Sequence, residues 1–255
     1  MKDSLKRQRK DALAVPDGGS PRVERRVSAA DWNAISAALD ASGFATVTGL
    51  LDAEGCGAIV RHYAENHRFR SHIHMARHGF GRGEYKYFAY PLPDAIGALR
   101  TALYPPLASI ANRWSEALGE TQRFPLRHSD FLERCHDAGQ TRPTPLLLKY
   151  EAGVYNCLHQ DLYGEHVFPL QVAILLCEPD KDFTGGEFVL IEQRPRMQSR
   201  ASVIALRRGD AVIFAVHHRP VRGVRGSYRV SLRHGVSAVR SGNRYTLGII
   251  FHDAK

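Results

Sequence analysis

The sequence predicts an α+β protein in which helices pack against a β-core. Two observations lead there. Helix signals fill the first part of the chain and stop at about residue 143. Beyond it short strands follow one another, divided by turn signals at Thr184-Gly185-Gly186, Arg208-Gly209-Asp210, Arg222-Gly223 and Ser241-Gly242-Asn243. Short strands at such spacing build a sandwich or barrel, and helices that precede them supply its cover. At 255 residues the chain can bury a sizeable core. One integrated domain is expected, in three stretches: a basic arm over 1–27, a helix-rich part with substrate-facing loops over 28–142, and the β-core over 143–255.

The arm is polar and basic, with Pro16, Gly18, Gly19 and Pro21, and reads as a loose segment. Asp31 caps a short helix carrying Trp32, Ile35 and Leu39, and Gly43 ends it. Phe44 to Leu50 reads as a strand. Asp52 starts a second helix with Ile59, Val60 and Tyr63 at helical spacing. Residues 67–83, rich in His, Arg and Gly, read as a mobile loop. His72, His74 and His78 raise the thought of a metal cluster, but no acidic or Cys partner is close in sequence. Glu84–Tyr90 alternates as a strand, and its tyrosines either cover the core or offer a stacking lip. Asp94–Leu118 is helical, with a possible break at Pro105-Pro106, and His128–Ala138 is a shorter helix. Strands follow over Pro145–Tyr150, Leu170–Cys177, Glu187–Glu192, Ser202–Leu206, Ala211–Val216, Tyr228–Val236 and Tyr245–His252.

The formal charge of +9 and pI of about 9.6 suit either solubility or attraction to a polyanion. Cys56, Cys135, Cys157 and Cys177 form no Cys-x-x-Cys pair and read as reduced thiols of a cytoplasmic protein. The charged N-terminus lacks the apolar run of a secretory signal. The apolar stretch Leu170–Cys177, interrupted by Gln171, is too short to span a bilayer, so no membrane partner is expected.

One stretch carries chemistry: Tyr155-Asn156-Cys157-Leu158-His159-Gln160-Asp161. Side chains two apart on a strand share a side, so His159 and Asp161 project together. With His234 they make a two-His-one-carboxylate set, the face that holds non-haem Fe(II) and leaves positions open. Arg244 follows His234 by ten residues. A Ser-Gly-Asn turn between them predicts antiparallel neighbouring strands, and Arg244 offers a fork for a carboxylate.

On these residues the chain resembles the Fe(II)/2-oxoglutarate-dependent dioxygenases. The matching pieces are His159-x-Asp161, the strand Leu170–Cys177, Thr184-Gly185-Gly186-Glu187-Phe188, Gly209-Asp210-Ala211-Val212-Ile213-Phe214, His234 and Arg244. The resemblance implies a double-stranded β-helix (jelly-roll) core over about 145–253. It implies Fe(II) held by His159, Asp161 and His234, which are also the catalytic centre, and 2-oxoglutarate and O₂ as cosubstrates. Arg244 would grip the distal carboxylate of 2-oxoglutarate, with Tyr150, Thr246 and Asn156 as further cosubstrate contacts. Asn156 and Gln160 flank the metal and either orient a ligand or bond within the loop. The implied chemistry decarboxylates 2-oxoglutarate to succinate and hydroxylates a C–H bond.

His217 and His218 are expected to begin a loop at the pocket mouth, His166 to lie behind the metal loop, and His252-Asp253 to be exposed. A zinc hydrolase using the same three ligands is disfavoured by Arg244. For substrate, Arg219, Arg222, Arg225, Arg229, Arg233 and Arg240 crowd one segment, and Arg68, Arg70, Arg77 and Arg82 another. An Arg-rich mouth would hold phosphates, so nucleic acid is the expected partner. The chain is similar to a bacterial group described as oxidative demethylases of damaged DNA. It departs from AlkB-like demethylases, which carry a second Arg six residues after the first, where this chain has Ile250. Hydroxylation of a peptide (prolyl-type) or a small molecule is the alternative.

Overall fold

The computed structural model describes residues 19–162 and 164–255. The elements in chain order are α1 (Gly19–Ser28), α2 (Trp32–Ser42), β1 (Phe44–Val47), α3 (Ala53–Arg61), β2 (Phe69–His74), β3 (Gly81–Arg82), β4 (Glu84–Phe88), α4 (Asp94–Ala117), α5 (His128–Asp137), β5 (Leu146–Tyr150), β6 (Tyr155–His159), β7 (Leu170–Leu175), β8 (Phe183–Gly185), β9 (Phe188–Gln193), β10 (Arg200–Ile204), β11 (Ala211–Ala215), β12 (His218–Gly223), β13 (Gly226–Val236), β14 (Val239–Gly242) and β15 (Arg244–Ile249).

Two antiparallel sheets make the core. One has seven strands in the order β1-β11-β7-β15-β5-β4-β2. The other has the order β10-β9-β13-β6-β3, with β12 also paired to β13, and β14 pairs with β8 in a small third sheet. This is the expected jelly roll with helical cover. β1, β2 and β4 precede residue 143 yet extend the large sheet, so both halves of the chain share one core. β7 and β11 sit inside that sheet, and every residue of Leu170–Leu175 and Ala211–Ala215 is buried.

The helices form for legible reasons. The Asp31 carboxylate accepts from the Asn33 and Ala34 amides, and Gly43 closes α2 at φ 77°. Asp52 caps α3 by accepting from the Gly55 amide. Several expectations change. Residues 19–28 are not a loose arm: they form α1, with Val23 and Val27 buried. The remainder of the arm, 1–18, lies outside the described residues. α4 runs unbroken through Pro105 and Pro106. Leu103, Tyr104, Leu107 and Ala108 on both sides of them are buried, and that packing offsets the lost backbone bonds. The expected loop over 67–83 contains β2 and β3, because Phe69 and Ile73 pack against the core while β2 pairs with β4.

His252 and Asp253 are buried rather than exposed. Arg100, itself 1 % exposed, donates to Asp253 Oδ1 at 2.7 Å, and Tyr90 and His136 reach Oδ2 at 2.9 and 2.8 Å. This network ties the chain end to α4 and α5.

Candidate active site

The metal-type side chains meet where β6 and β13 pair. His234 stands opposite His159, and Val236 opposite Asn156, so β6 carries one extra residue between these pairs. That bulge turns both Asn156 and His159, an odd spacing apart, into the same cavity. Gly235 permits it, since a Cβ there would lie 2.7 Å from the Asn156 carbonyl oxygen. His159 is the last residue of β6, and Asp161 lies beyond the strand in the following loop.

His159 Nε2 lies 3.4 Å from Asp161 Oδ1, and His234 Nε2 lies 3.4 Å from Asp161 Oδ2. The two imidazole centroids are 4.2 Å apart, and all ligand atoms fall within 4.8 Å of one another. His159 Nδ1 donates to the Cys157 carbonyl at 2.8 Å, so Nε2 is the nitrogen that faces the carboxylate. Phe188 stacks on His234 at 6.0 Å and Phe214 lies at 4.5 Å. Burial pushes Asp161 upward, but His159 and His234 outweigh it and hold the carboxyl well below its usual range. Burial lowers His234; for His159, Asp161 more than reverses that effect and the imidazole is raised. Two neutral-capable imidazoles around an ionised carboxylate fit a divalent metal of the Fe(II) type.

Arg244 sits on the facing sheet. The expected hairpin with His234 does not form: β14 pairs with β8, and β15 pairs with β5 and β7. The two residues serve one cavity because the sheets face each other, not because their strands are neighbours. Arg244 stands opposite Tyr150 in register, donates to Thr246 Oγ1 at 2.6 Å, and holds its guanidinium 5.3 Å from the Tyr150 ring. It is 2 % exposed, and its Nε has no hydrogen-bond partner among the described residues. Asn156 and Tyr150 line the same cavity. A buried guanidinium with an orphan donor is built to receive an anion.

The cavity, of about 190 Å³, brings Tyr150, Asn156, His159, Asp161, His234, Arg244 and Thr246 together. Its walls also include Phe80, Tyr85, Tyr87, Gln171, Phe188 and Phe214. The sequence reading missed Gln171 and Phe80 as lining residues. The one signal for Gln171 was a polar residue interrupting an apolar strand. Gln160 lines the cavity too, but its amide donates to the Leu232 carbonyl at 2.7 Å, a bond within the framework. His217 and His218 line a separate cavity with Trp114 and Glu120, and His218 begins β12 rather than a loop. The backbone carbonyl of His166 accepts from Gln140, and His166 is not among the cavity-lining residues.

The Arg segments are partly structural. Arg219 is buried and donates to Glu192 at 2.6 Å. Arg229 pairs with Glu120 at 2.8 Å, Arg68 pairs with Glu65, and Arg70 stacks on Tyr87 at 4.5 Å. Arg77, Arg82, Arg222, Arg225 and Arg233 are exposed. Among the described residues, none of these five carries an ion pair.

Residues 83–254 match the model of a family described as "Oxygenase, catalysing oxidative methylation of damaged DNA". The chain belongs to this oxygenase family. Two proteins of Mycobacterium tuberculosis, from strains CDC 1551 / Oshkosh and ATCC 25618 / H37Rv and both described as uncharacterised, are each 52% identical to this oxygenase over 167 residues, 66% of this chain and 72% of theirs. Among solved structures, a 2OG-Fe(II) oxygenase-family oxidoreductase from Burkholderia pseudomallei superposes with TM-score 0.51 at 15% identity, covering 89% of this chain and 94% of its own. A prolyl hydroxylase from Trichoplax adhaerens, solved with a hypoxia inducible factor peptide fragment, gives TM-score 0.53 at 16% identity over 90% of each chain. These likenesses establish the 2OG oxygenase fold. As a member of an oxygenase family, the enzyme is an oxidoreductase. No helix among the described residues is long and apolar enough to cross a membrane.

Proposed function

We propose that this oxygenase oxidatively demethylates alkylated nucleic acid, with His159, Asp161 and His234 holding the iron and Arg244 the distal carboxylate of 2-oxoglutarate. The observation that carries the assignment is the shared cavity: a His-His-Asp donor set on β13 and at the end of β6 faces a buried guanidinium on the other sheet, whose Nε has no hydrogen-bond partner among the described residues. Bound Fe(II) supplies, with 2-oxoglutarate and O₂, the oxidation of a C–H bond, and succinate and CO₂ leave.

The chain's own groups do the rest. The Cys157 carbonyl holds Nδ1 of His159, so Nε2 is the nitrogen that points at the site. The Asp161 carboxylate stays ionised between the two imidazoles. Arg244 and Thr246 form a fork and hydroxyl for one carboxylate, with Tyr150 and Asn156 in the same cavity. Phe188, Phe214, Leu146 and Leu148 give the cavity an apolar stretch of wall.

Nucleic acid as substrate rests on the family description and on two exposed arginines next to the site. Arg82 pairs in register with Tyr155 on β3 and β6, and Arg233 precedes His234 on β13. Exposed Phe80, Tyr155, Leu158 and Leu162 offer apolar faces beside the β6 strand and metal loop. An N-methyl group hydroxylated there becomes an N-hydroxymethyl, which releases formaldehyde and the unmodified base.

The test supplies Fe(II)-loaded protein with 2-oxoglutarate, O₂ and methylated single-stranded DNA, beside the unmethylated strand. Formaldehyde that depends on the methylated strand is expected. Succinate without formaldehyde would keep the oxygenase, discard this substrate, and direct the search to peptides and metabolites.

A further inference from the structure

A second donor cluster lies on the face of the large sheet away from the cavity. β2 and β4 pair with His74 opposite Glu84, His72 opposite Lys86 and Ile73 opposite Tyr85. Strand alternation therefore puts His72, His74 and Glu84 on one face, and Tyr85, which lines the cavity, on the other. Both imidazoles converge on one oxygen: His72 Nε2 is 2.8 Å and His74 Nδ1 is 3.8 Å from Glu84 Oε2. The rings are 4.5 Å apart, and the three ligand atoms lie within 4.8 Å of one another.

We propose that His72, His74 and Glu84 bind a zinc-class divalent cation. The sequence alone hid the third ligand, because Glu84 reaches the histidines only across the strand pair. Zinc takes His nitrogen and carboxylate oxygen at about 2.0–2.2 Å in a tetrahedron, which sets its donors roughly 3.3 Å apart. The observed separations bracket that value, so small side-chain rotations complete the site. Two imidazoles and one carboxylate are a borderline-soft set that suits Zn(II) better than Mg(II) or Ca(II). The positive groups nearby leave the site usable. Lys149 Nζ lies 3.9 Å from the other carboxylate oxygen, Oε1, and its closer partner is Glu151 at 2.6 Å. Lys86 donates to the Tyr63 carbonyl and Asn66 Oδ1, both at 2.9 Å. His72 and His74 are exposed, which leaves the fourth position to water.

The bound ion would clamp β2 to β4. The segment between these strands carries Phe80, whose carbonyl accepts from the Cys157 amide at 2.9 Å, and β4 carries Tyr85 and Tyr87 of the cavity wall. The clamp therefore acts on a cavity wall without supplying an iron ligand.

The experiment measures zinc stoichiometry of the full chain after chelator treatment, by competition with a chromophoric chelator. Four proteins are compared: wild type, Asp161→Ala, Asp161→Ala with His74→Ala, and Asp161→Ala with Glu84→Gln. Wild type should bind two zinc ions, one for each donor group, and Asp161→Ala should keep one. The His74→Ala double variant should lose it, and the Glu84→Gln double variant should bind at least tenfold more weakly. Circular dichroism of all four should be unchanged, because the histidines are exposed. Absence of zinc from Asp161→Ala, or equal binding by it and the His74→Ala double variant, would overturn the proposal. None of these outcomes depends on the substrate reading.

Discussion

Replacing Arg244 by Met should stabilise the ligand-free protein while destroying its response to 2-oxoglutarate. The side chain is 2 % exposed, and among the described residues its Nε is unpartnered and its only hydrogen bond goes to Thr246. Burial lowers its pKa. The carboxylate that acts on it, Glu187, is bonded by Ser237 and lies 3.5 Å from Arg240. A buried charge left without its partner costs roughly 3–5 kcal/mol. The Tyr150 and Phe183 rings, 5.3 and 5.9 Å away, return part of that. Methionine fills similar volume without the charge and loses one hydrogen bond of about 1 kcal/mol. The net gain is about 2 kcal/mol, which for a chain of this size raises Tm by roughly 4–8 °C. Wild type should gain about 2.7 kcal/mol from 2-oxoglutarate at a hundredfold excess over Kd, and the variant nothing. Thermal unfolding of both proteins, with and without 2-oxoglutarate and with metal present, reads all four states. A variant less stable than wild type without ligand, or one still stabilised by 2-oxoglutarate, would refute the reasoning.

Other perturbations test neighbouring parts of the structure. Gly186→Ala should weaken 2-oxoglutarate binding roughly tenfold, about 1.4 kcal/mol. Gly186 has φ +64°, and a Cβ there would meet Val239 Cγ2 at 2.8 Å and Arg244 Cδ at 2.9 Å; an unchanged KM for 2-oxoglutarate would contradict this. Acid should unfold the protein through His128 and His252, which burial lowers from 6.5 to about 4. Between those values the unfolded chain binds more protons, so stability falls as pH drops from about 6.5 to 4, by at most about 3 kcal/mol per histidine. Denaturant titrations across that window check it, and a flat profile would exclude it. Arg219→Ala should cost roughly 3–5 kcal/mol of stability, because it strips the buried Glu192 of its closest partner. Arg82→Ala and Arg233→Ala should leave stability within about 0.5 kcal/mol. Each should reduce the salt dependence of DNA binding by about one phosphate contact, so an unaltered salt slope would remove that arginine from the interface.

Local chemistry made much of the fold legible. Asp31 and Asp52 cap helices in the sequence and in space, and the apolar runs around Val172 and Ile213 are the buried strands of the large sheet. His-x-Asp, the distal His and the Arg could be picked out because metal and carboxylate chemistry fixes residue type and the family resemblance implies their order. Pairing was harder to read. Ser241-Gly242-Asn243 resembles a hairpin turn, yet it carries the chain between sheets, and only long-range pairing of β8 with β14 and β5 with β15 decides that. The strand Phe69–His74 alternates Phe, Ser and Ile with Arg and two His, but its basic composition masked the period. Arg219 and Arg222 look alike in sequence. Only burial beside Glu192 separates a core ion pair from an exposed cation. Likewise Glu84 joins His72 and His74 only through strand register.

The central claim is that His159, Asp161 and His234 hold the iron beside a 2-oxoglutarate gripped by Arg244. Succinate formed from 2-oxoglutarate under O₂, measured side by side for Fe(II)-loaded wild type and Asp161→Ala, tests it most directly. Turnover in wild type and none in folded Asp161→Ala is the predicted result. Equal succinate from both would contradict it.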